Sequence, residues 1–316
     1  DALAQNPDLA QCALKEESTK TREIITTPLA SYLRQSYLAF RWGRPPINSP
    51  IGRSSWLTSF QSTLYPWYAA IDGKNFDHHV SKEFISHVIK LLGQLDSETL
   101  AVADSEISHL NRLYIHTPTG KTIKYNNGVL SGWRLTSLID TLATECVVRE
   151  ILATRQLQSS LEHGSMGDDL IFASFAFEIP KQELVDAYDA TNMETNASKT
   201  TVGPVGEFLR KVYAPTGILG YPALGIKSIT YASPWLTSYD PTNPQELATN
   251  WLTWLSRLLP LCQTQNQTQL SNWIKTELTH DLKRWGFNPG SDLFKAALRT
   301  PICAGGLGCF EWAEPG

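Results

Sequence analysis

The sequence predicts an α+β fold. Three patterns carry that expectation. Short apolar runs bounded by turn residues, Tyr68-Ala69-Ala70-Ile71 and the stretch after Gly167 (170–177), have the length of buried strands. Apolar residues also recur at helical spacing: Val80, Phe84, Ile85, Val88, Ile89 and Leu92 in one segment, Leu135, Leu138, Ile139, Leu142, Cys146 and Val147 in another. The last third is rich in helix signals and carries six of the ten Trp residues, Trp235, Trp251, Trp254, Trp273, Trp285 and Trp312, which read as core packing.

Taken in order, residues 1–68 hold a charged motif and then a Pro/Gly/Ser-rich loop from Arg44 to Ser55. The strand Tyr68–Ile71 leads into Asp72, and the helix after it ends near Gly93. Residues 117–127 read as strand and turn, punctuated by Pro118 and Gly120. Gly167 marks a tight turn into the next strand. Pro180 introduces a helix near Lys181, and Glu207 to Tyr213 reads as one strand. Neither an internal repeat nor a low-complexity tract is visible.

Composition narrows the classes. At 316 residues, 42% hydrophobic and 18% charged, the chain belongs with ordered globular proteins of two or three subdomains. It begins at Asp1 rather than Met and so reads as part of a longer protein. A net charge of −4 does not suit a protein that merely coats nucleic acid. Locally the balance reverses: Lys20, Arg22, Arg34, Arg41, Arg44 and Arg53 face one acid, Glu23, and Tyr32, Tyr37, Phe40, Trp42 and Trp56 interleave. That mixture suits phosphates and stacked bases, and equally a solvated face. The five cysteines, Cys12, Cys146, Cys262, Cys303 and Cys309, are scattered without a Cys-x-x-Cys pair, which fits a reducing compartment. No apolar stretch is long enough to span a bilayer, so no membrane partner is expected.

Two acidic clusters stand out. One is Gly167-Asp168-Asp169 ahead of Leu170-Ile171-Phe172-Ala173; the other is Asp72 and Asp77 in Ile71-Asp72-Gly73-Lys74-Asn75-Phe76-Asp77. If their strands pair, Asp72 and Asp168 converge. Mg²⁺ is a hard cation that takes one or two carboxylates plus substrate phosphates. Gly-Asp-Asp alone is an ordinary hairpin turn. His78-His79 is not expected to bind metal, since neighbours on a strand point apart, and His163 has no assigned role.

The order of motifs adds weight. Lys15-Glu16-Glu17-Ser18-Thr19-Lys20-Thr21-Arg22-Glu23-Ile24 resembles the basic fingers motif of viral RNA-directed RNA polymerases, most nearly those of totivirus-like double-stranded RNA viruses. Asp72…Asp77 resembles motif A of that family, Ser131-Gly132-Trp133-Arg134-Leu135-Thr136 motif B, and Gly167-Asp168-Asp169 motif C. Asn196-Ala197-Ser198-Lys199 is similar to the motif D region and Gly206-Glu207-Phe208-Leu209-Arg210 to motif E.

The resemblance implies a right-hand polymerase, with an antiparallel palm sheet flanked by helices, partial fingers and a helical thumb. The implied boundaries are a fingers segment at 1–68, palm with motif A at 69–103, a fingers/palm connection at 104–127, palm with motifs B to D at 128–204, and motif E with thumb at 205–316. It implies Asp72, Asp168 and Asp169 as metal ligands for two Mg²⁺ ions, with Mn²⁺ as substitute, and Lys199 as general acid toward pyrophosphate. Lys15, Lys20 and Arg22 would grip the triphosphate, and Asp77 would read the ribose 2′-OH. Ser131, Gly132 and Thr136 would serve the nucleotide site, Gly132 through backbone freedom that lets Ser131 shift. Asp140 stands where many relatives carry Asn, a departure that bears on ribose selection. Implied partners are RNA template and product, nucleoside triphosphates and a viral capsid protein, inside the virion or in host cytoplasm. An incomplete RNA-binding fragment is the rival reading. Reverse transcription is a further one, against which Met166 replaces the Tyr usual before its Asp-Asp pair.

Overall fold

The computed structural model describes residues 7–16, 21–155, 161–230, 244–258, 264–284, 286–300 and 304. Lys20, Cys262, Cys303, Cys309, Trp235, Trp285 and Trp312 lie outside these. The chain forms two compact units, Asp1–Leu209 with Tyr213–Thr216, and Arg210–Val212 with Gly217–Gly316.

The first unit opens with an antiparallel pair, β1 (Leu9–Glu16) and β2 (Thr21–Ile25), whose register sets Lys15 across from Arg22. Helices α1 (Leu29–Trp42) and α2 (Ser54–Gln61) follow, joined by the predicted loop. Strand β3 (Trp67–Ile71) is buried along its whole length. Trp67, Ala69 and Ile71 enter the main core, while Tyr68 turns to the other face among Phe60, Tyr65 and Tyr213, as the period of two requires.

Next come α3 (Phe76–His79), α4 (Lys82–Leu92) and α5 (Ser97–Arg112). Ser81 Oγ caps α4 by accepting from Phe84 N, and Ile85, Val88, Ile89 and Leu92 form its buried face. A reciprocal capping box between Asp96 and Thr99 starts α5. Strands β4 (Tyr114–His116) and β5 (Thr122–Lys124) complete a sheet of order β2-β1-β4-β5, with β1 and β4 parallel.

The long helix α6 (Thr136–Arg155) precedes β6 (Glu162–Met166) and β7 (Asp169–Ser174); α7 (Lys181–Ala190) and β8 (Thr201–Gly203) follow. The second sheet has the order β6-β7-β3-β8, antiparallel throughout. The predicted strand over Glu207–Tyr213 is in fact two, β9 (Gly206–Phe208) and β10 (Lys211–Ala214). Leu209 and Arg210 take positive φ (52° and 59°) and turn the chain between them.

A polar network ties this unit's helices together inside the core. Glu106 of α5 is fully buried and accepts from Ser31 Oγ (2.5 Å), Arg34 Nε (2.6 Å) and Gln35 Nε2 (3.0 Å) on α1. Gln35 Oε1 in turn accepts from Leu135 N, just ahead of α6 (3.2 Å). Arg34 is thus committed to Glu106, and Arg41 pairs with Asp96, so these two members of the basic stretch serve the fold. Glu106→Ala strands a cation and two further donors, and is expected to cost about 3 kcal/mol of stability. Urea denaturation measures it; a loss within experimental error would show the network to be dispensable.

The second unit contains β11 (Gly217–Gly220), α8 (Ala223–Thr230), α9 (Pro244–Leu258), α10 (Thr264–Arg284) and α11 (Asp292–Arg299). Its own core gathers Ile229, Leu247, Trp251, Leu255, Ile274, Leu278 and Leu282. Trp251 Nε1 donates to the buried Asp281 (3.0 Å), so this tryptophan packs as expected, whereas Trp273 is about half exposed at 46%.

Candidate active site

Strands β3 and β7 pair antiparallel in the register Ile71↔Leu170. One step further along, Asp72 lies across from Asp169, and Asp168 occupies the tight turn between β6 and β7. The two acidic clusters therefore meet at one edge of the sheet. Burial, then the charges of Asp72 and Asp77, hold the Asp168 carboxyl above the usual carboxylate range, with Arg22 acting the other way.

Asp77 returns to this edge because Asn75 adopts a left-handed conformation (φ 48°) and starts α3. Asp77 O also accepts from Val129 N (2.8 Å), tying α3 to the loop before α6. Asp140, one turn into α6, is only 4% exposed. Its Oδ1 finds no donor among the described residues, and the carboxyl it faces is Asp77. Burial, followed by the charge and hydrogen bond of Asp77 and the charge of Asp168, pushes Asp140 up to about 9. Two carboxyl oxygens can hydrogen-bond only by sharing a proton, so Asp140 is a neutral donor at pH 7.

The segment after α7 is fastened to the same edge. Asn196 N donates to Asp72 O (2.8 Å), and β8 pairs with β3. Lys199 is 65% exposed, with its Nζ 3.8 Å from Asp72 Oδ2. Lys15 and Arg22 lie opposite each other on β1 and β2 and are both exposed; of the two, Arg22 is the one whose charge bears on Asp168. Lys20 lies outside the described residues.

The motif B loop corrects one expectation. Gly132 is not in the left-handed region; a Cβ there would meet Ile25 O at 2.2 Å, so the glycine is required by close approach to β2 rather than by backbone freedom. Ser131 Oγ accepts from Ile25 N (3.0 Å), and Thr136 Oγ1 donates to Leu130 O (2.7 Å), bracing the loop from both ends. His78 and His79 are helical rather than extended, and His79 Nε2 lies 3.7 Å from Glu194. His163 and Ser165 on β6 both reach Glu145 of α6 (3.2 and 2.7 Å).

Sequence reasoning missed Tyr188 of α7. Its hydroxyl is buried without a hydrogen-bond partner among the described residues. Burial and then the charges of Asp168, Asp72 and Asp169 push it far up, so it stays protonated. Among the described residues, no three His, Cys, Asp or Glu side chains gather tightly enough to enclose a metal ion by themselves. The donor set nonetheless suits Mg²⁺, which completes its shell with water and phosphate. Carboxylates crowded until one resists ionisation also call for a cation.

The sequence profile of the viral RNA-directed RNA polymerases matches residues 11–250. The chain belongs to that family. The probable RNA-directed RNA polymerase of Saccharomyces cerevisiae virus L-BC is 26% identical over 178 residues, 54% of this chain and 11% of that protein. That of Giardia lamblia virus (isolate Wang) is 27% identical over 241 residues, 69% of this chain and 12% of that protein. The chain thus spans about a tenth of the length of these curated relatives. The RNA-dependent RNA polymerase of a human picobirnavirus shares the fold: its insertion-loop deletion mutant superposes with a TM-score of 0.67 at 14% identity, covering 96% of this chain and 64% of that one. The undeleted form gives 0.64 at 15% identity, covering 92% and 58%. Polymerases of this family use divalent metal ions. No described helix is long and apolar enough to cross a membrane.

Proposed function

We propose that this chain is the catalytic core of an RNA-directed RNA polymerase that extends viral RNA by template-directed nucleotidyl transfer. The convergence of Asp72 and Asp168 through the β3–β7 register supports this reading most directly. Asp72 and Asp168 would hold two Mg²⁺ ions, or Mn²⁺ in their stead, with Asp169 beside them. When bound, such ions supply charge neutralisation at the triphosphate and a more acidic 3′ hydroxyl.

The remaining roles fall to the chain's own groups. Arg22, Lys15 and Lys20 grip the triphosphate. The 3′ hydroxyl of the growing RNA loses its proton to solvent as its oxygen attacks the α-phosphorus, the bond to pyrophosphate breaks, and Lys199 delivers a proton to that leaving group. Asp77 reads the 2′-OH by accepting from it, the protonated Asp140 donates to Asp77 and holds it in place, and Ser131, Gly132 and Thr136 shape the loop beneath the base pair. Residues 1–68 correspond to fingers, 69–103 and 128–204 to palm, 104–127 to their connection, and 205–316 to motif E and thumb. RNA template and product and nucleoside triphosphates are the partners, with a capsid protein as a further one, in the virion interior or host cytoplasm.

The test is template-dependent incorporation of labelled ribonucleotides by the purified chain in Mg²⁺. Ribonucleotide incorporation lost in EDTA is expected. RNA binding without incorporation would favour the fragment reading, and preferential use of deoxyribonucleotides would favour reverse transcription.

A further inference from the structure

Gly167 stands between β6 and the catalytic turn with φ at 62°, and neither of its backbone groups is left to the turn itself. Its N–H donates to Thr141 Oγ1 (2.9 Å), and its carbonyl accepts from Thr144 Oγ1 (2.7 Å). Thr141 passes its own proton to Ser137 O (2.5 Å). Both threonines are fully buried on α6, and three residues apart they share a helix face. A mid-helix threonine ordinarily bonds back to the carbonyl four residues earlier. Thr141 does so, whereas Thr144 reaches across to the turn.

We infer that Thr141 and Thr144 are positioning residues, gripping the Gly167 backbone on both sides and so fixing where Asp168 stands relative to Asp72. Valine has the shape of threonine and would fill either position, so packing alone gives no reason for two buried hydroxyls. What the hydroxyls add is direction. With both bonds made, the residue before Asp168 has one orientation; with either lost, a part-buried N–H or C=O of Gly167 loses its partner and the turn must tilt to find another. Asp140 is the residue before Thr141, so one stretch of helix carries both the acid facing Asp77 and the grip on the turn.

This rests on the polymerase reading, because it takes Asp168 as a metal ligand. The experiment compares wild type with Thr144→Val and Thr144→Ser, each in the full-length natural chain. Mn²⁺ affinity is read by electron paramagnetic resonance and RNA synthesis by single-turnover incorporation. Thr144→Val is expected to weaken Mn²⁺ binding and slow incorporation, each about tenfold. Its KM for nucleotide should stay near wild type, and Thr144→Ser should restore both properties. Wild-type Mn²⁺ affinity and rate in Thr144→Val, or no restoration by Thr144→Ser, would overturn the inference. If Thr144→Val does not fold, Thr141→Val and Thr141→Ser carry the same comparison through Gly167 N. A wild-type chain that binds Mn²⁺ but makes no RNA would sink the polymerase reading while leaving the grip to be judged on affinity alone; one that binds no Mn²⁺ would sink both.

Discussion

Asp168→Asn is expected to lower RNA synthesis by about 10³-fold or more while making the metal-free chain more resistant to heat. The two effects have one cause. Asp168 is half-buried at the end of the inner strands β3 and β7 with Asp72 and Asp77, and desolvation together with those charges disfavours its ionised form in the folded chain. Its folded pKa is raised, so above the ordinary carboxylate range the unfolded chain holds fewer protons than the folded one. Stability then falls as pH rises through that window. Asparagine keeps the shape and removes the charge, so the repulsion disappears along with the proposed ligand. Asp72→Asn is expected to abolish synthesis equally and also to free Lys199, whose Nζ is 3.8 Å from Asp72. Thermal melts in EDTA beside incorporation assays in Mg²⁺ separate the two readings. Wild-type incorporation by Asp168→Asn would remove it from the metal site; a lower melting temperature would show that its charge is offset rather than crowded.

Much of this edge was legible in the sequence. Tyr68–Ile71 and the run after Gly167 are apolar stretches flanked by acidic turn residues, and they fold as the neighbouring strands β3 and β7, the second ending at Ser174 rather than at 177. The helices after Val80 and near Lys181 announce themselves by periodicity and by Pro180. The failures have physical reasons. The apolar stripe read on α6 holds for Leu135, Ile139 and Val147, and in part for Leu138 and Leu142, but Cys146 is exposed and Asp140, Thr141 and Thr144 are buried. Apolar spacing cannot reveal a helix face whose polar groups are satisfied by a turn distant in the chain. Leu209 and Arg210 turn the chain without glycine or asparagine, so Glu207–Tyr213 read as one strand. Strands β1 and β2 are mostly exposed, with Ala13, Leu14, Lys15, Thr21, Arg22 and Glu23 all facing solvent, so no sustained apolar alternation betrays them.

Asp140→Asn is expected to be stabilising, by an amount that grows with pH, and to keep ribonucleotide preference; Asp140→Ala is expected to lose that preference by about tenfold. The surroundings of Asp140 turn an acid into a donor. Asp140 faces Asp77 from α3 and feels Asp168 from the β6–β7 turn, and burial pushes it up to about 9 against an ordinary 3.8. Between those values the folded chain keeps a proton that the unfolded chain has released. Stability therefore declines as pH rises from about 4 to about 9, and asparagine, which never ionises, is spared the decline. The gap between Asp140→Asn and wild type should widen to a few kcal/mol by the top of that range, measured by denaturant melts in EDTA. At neutral pH both side chains donate to Asp77, so ribonucleotide over deoxyribonucleotide selection should survive in Asp140→Asn and fail in Asp140→Ala, where Asp77 loses its partner. A pH-independent gap would mean that Asp140 is ionised in the fold, and the protonated pair with Asp77 would have to be abandoned.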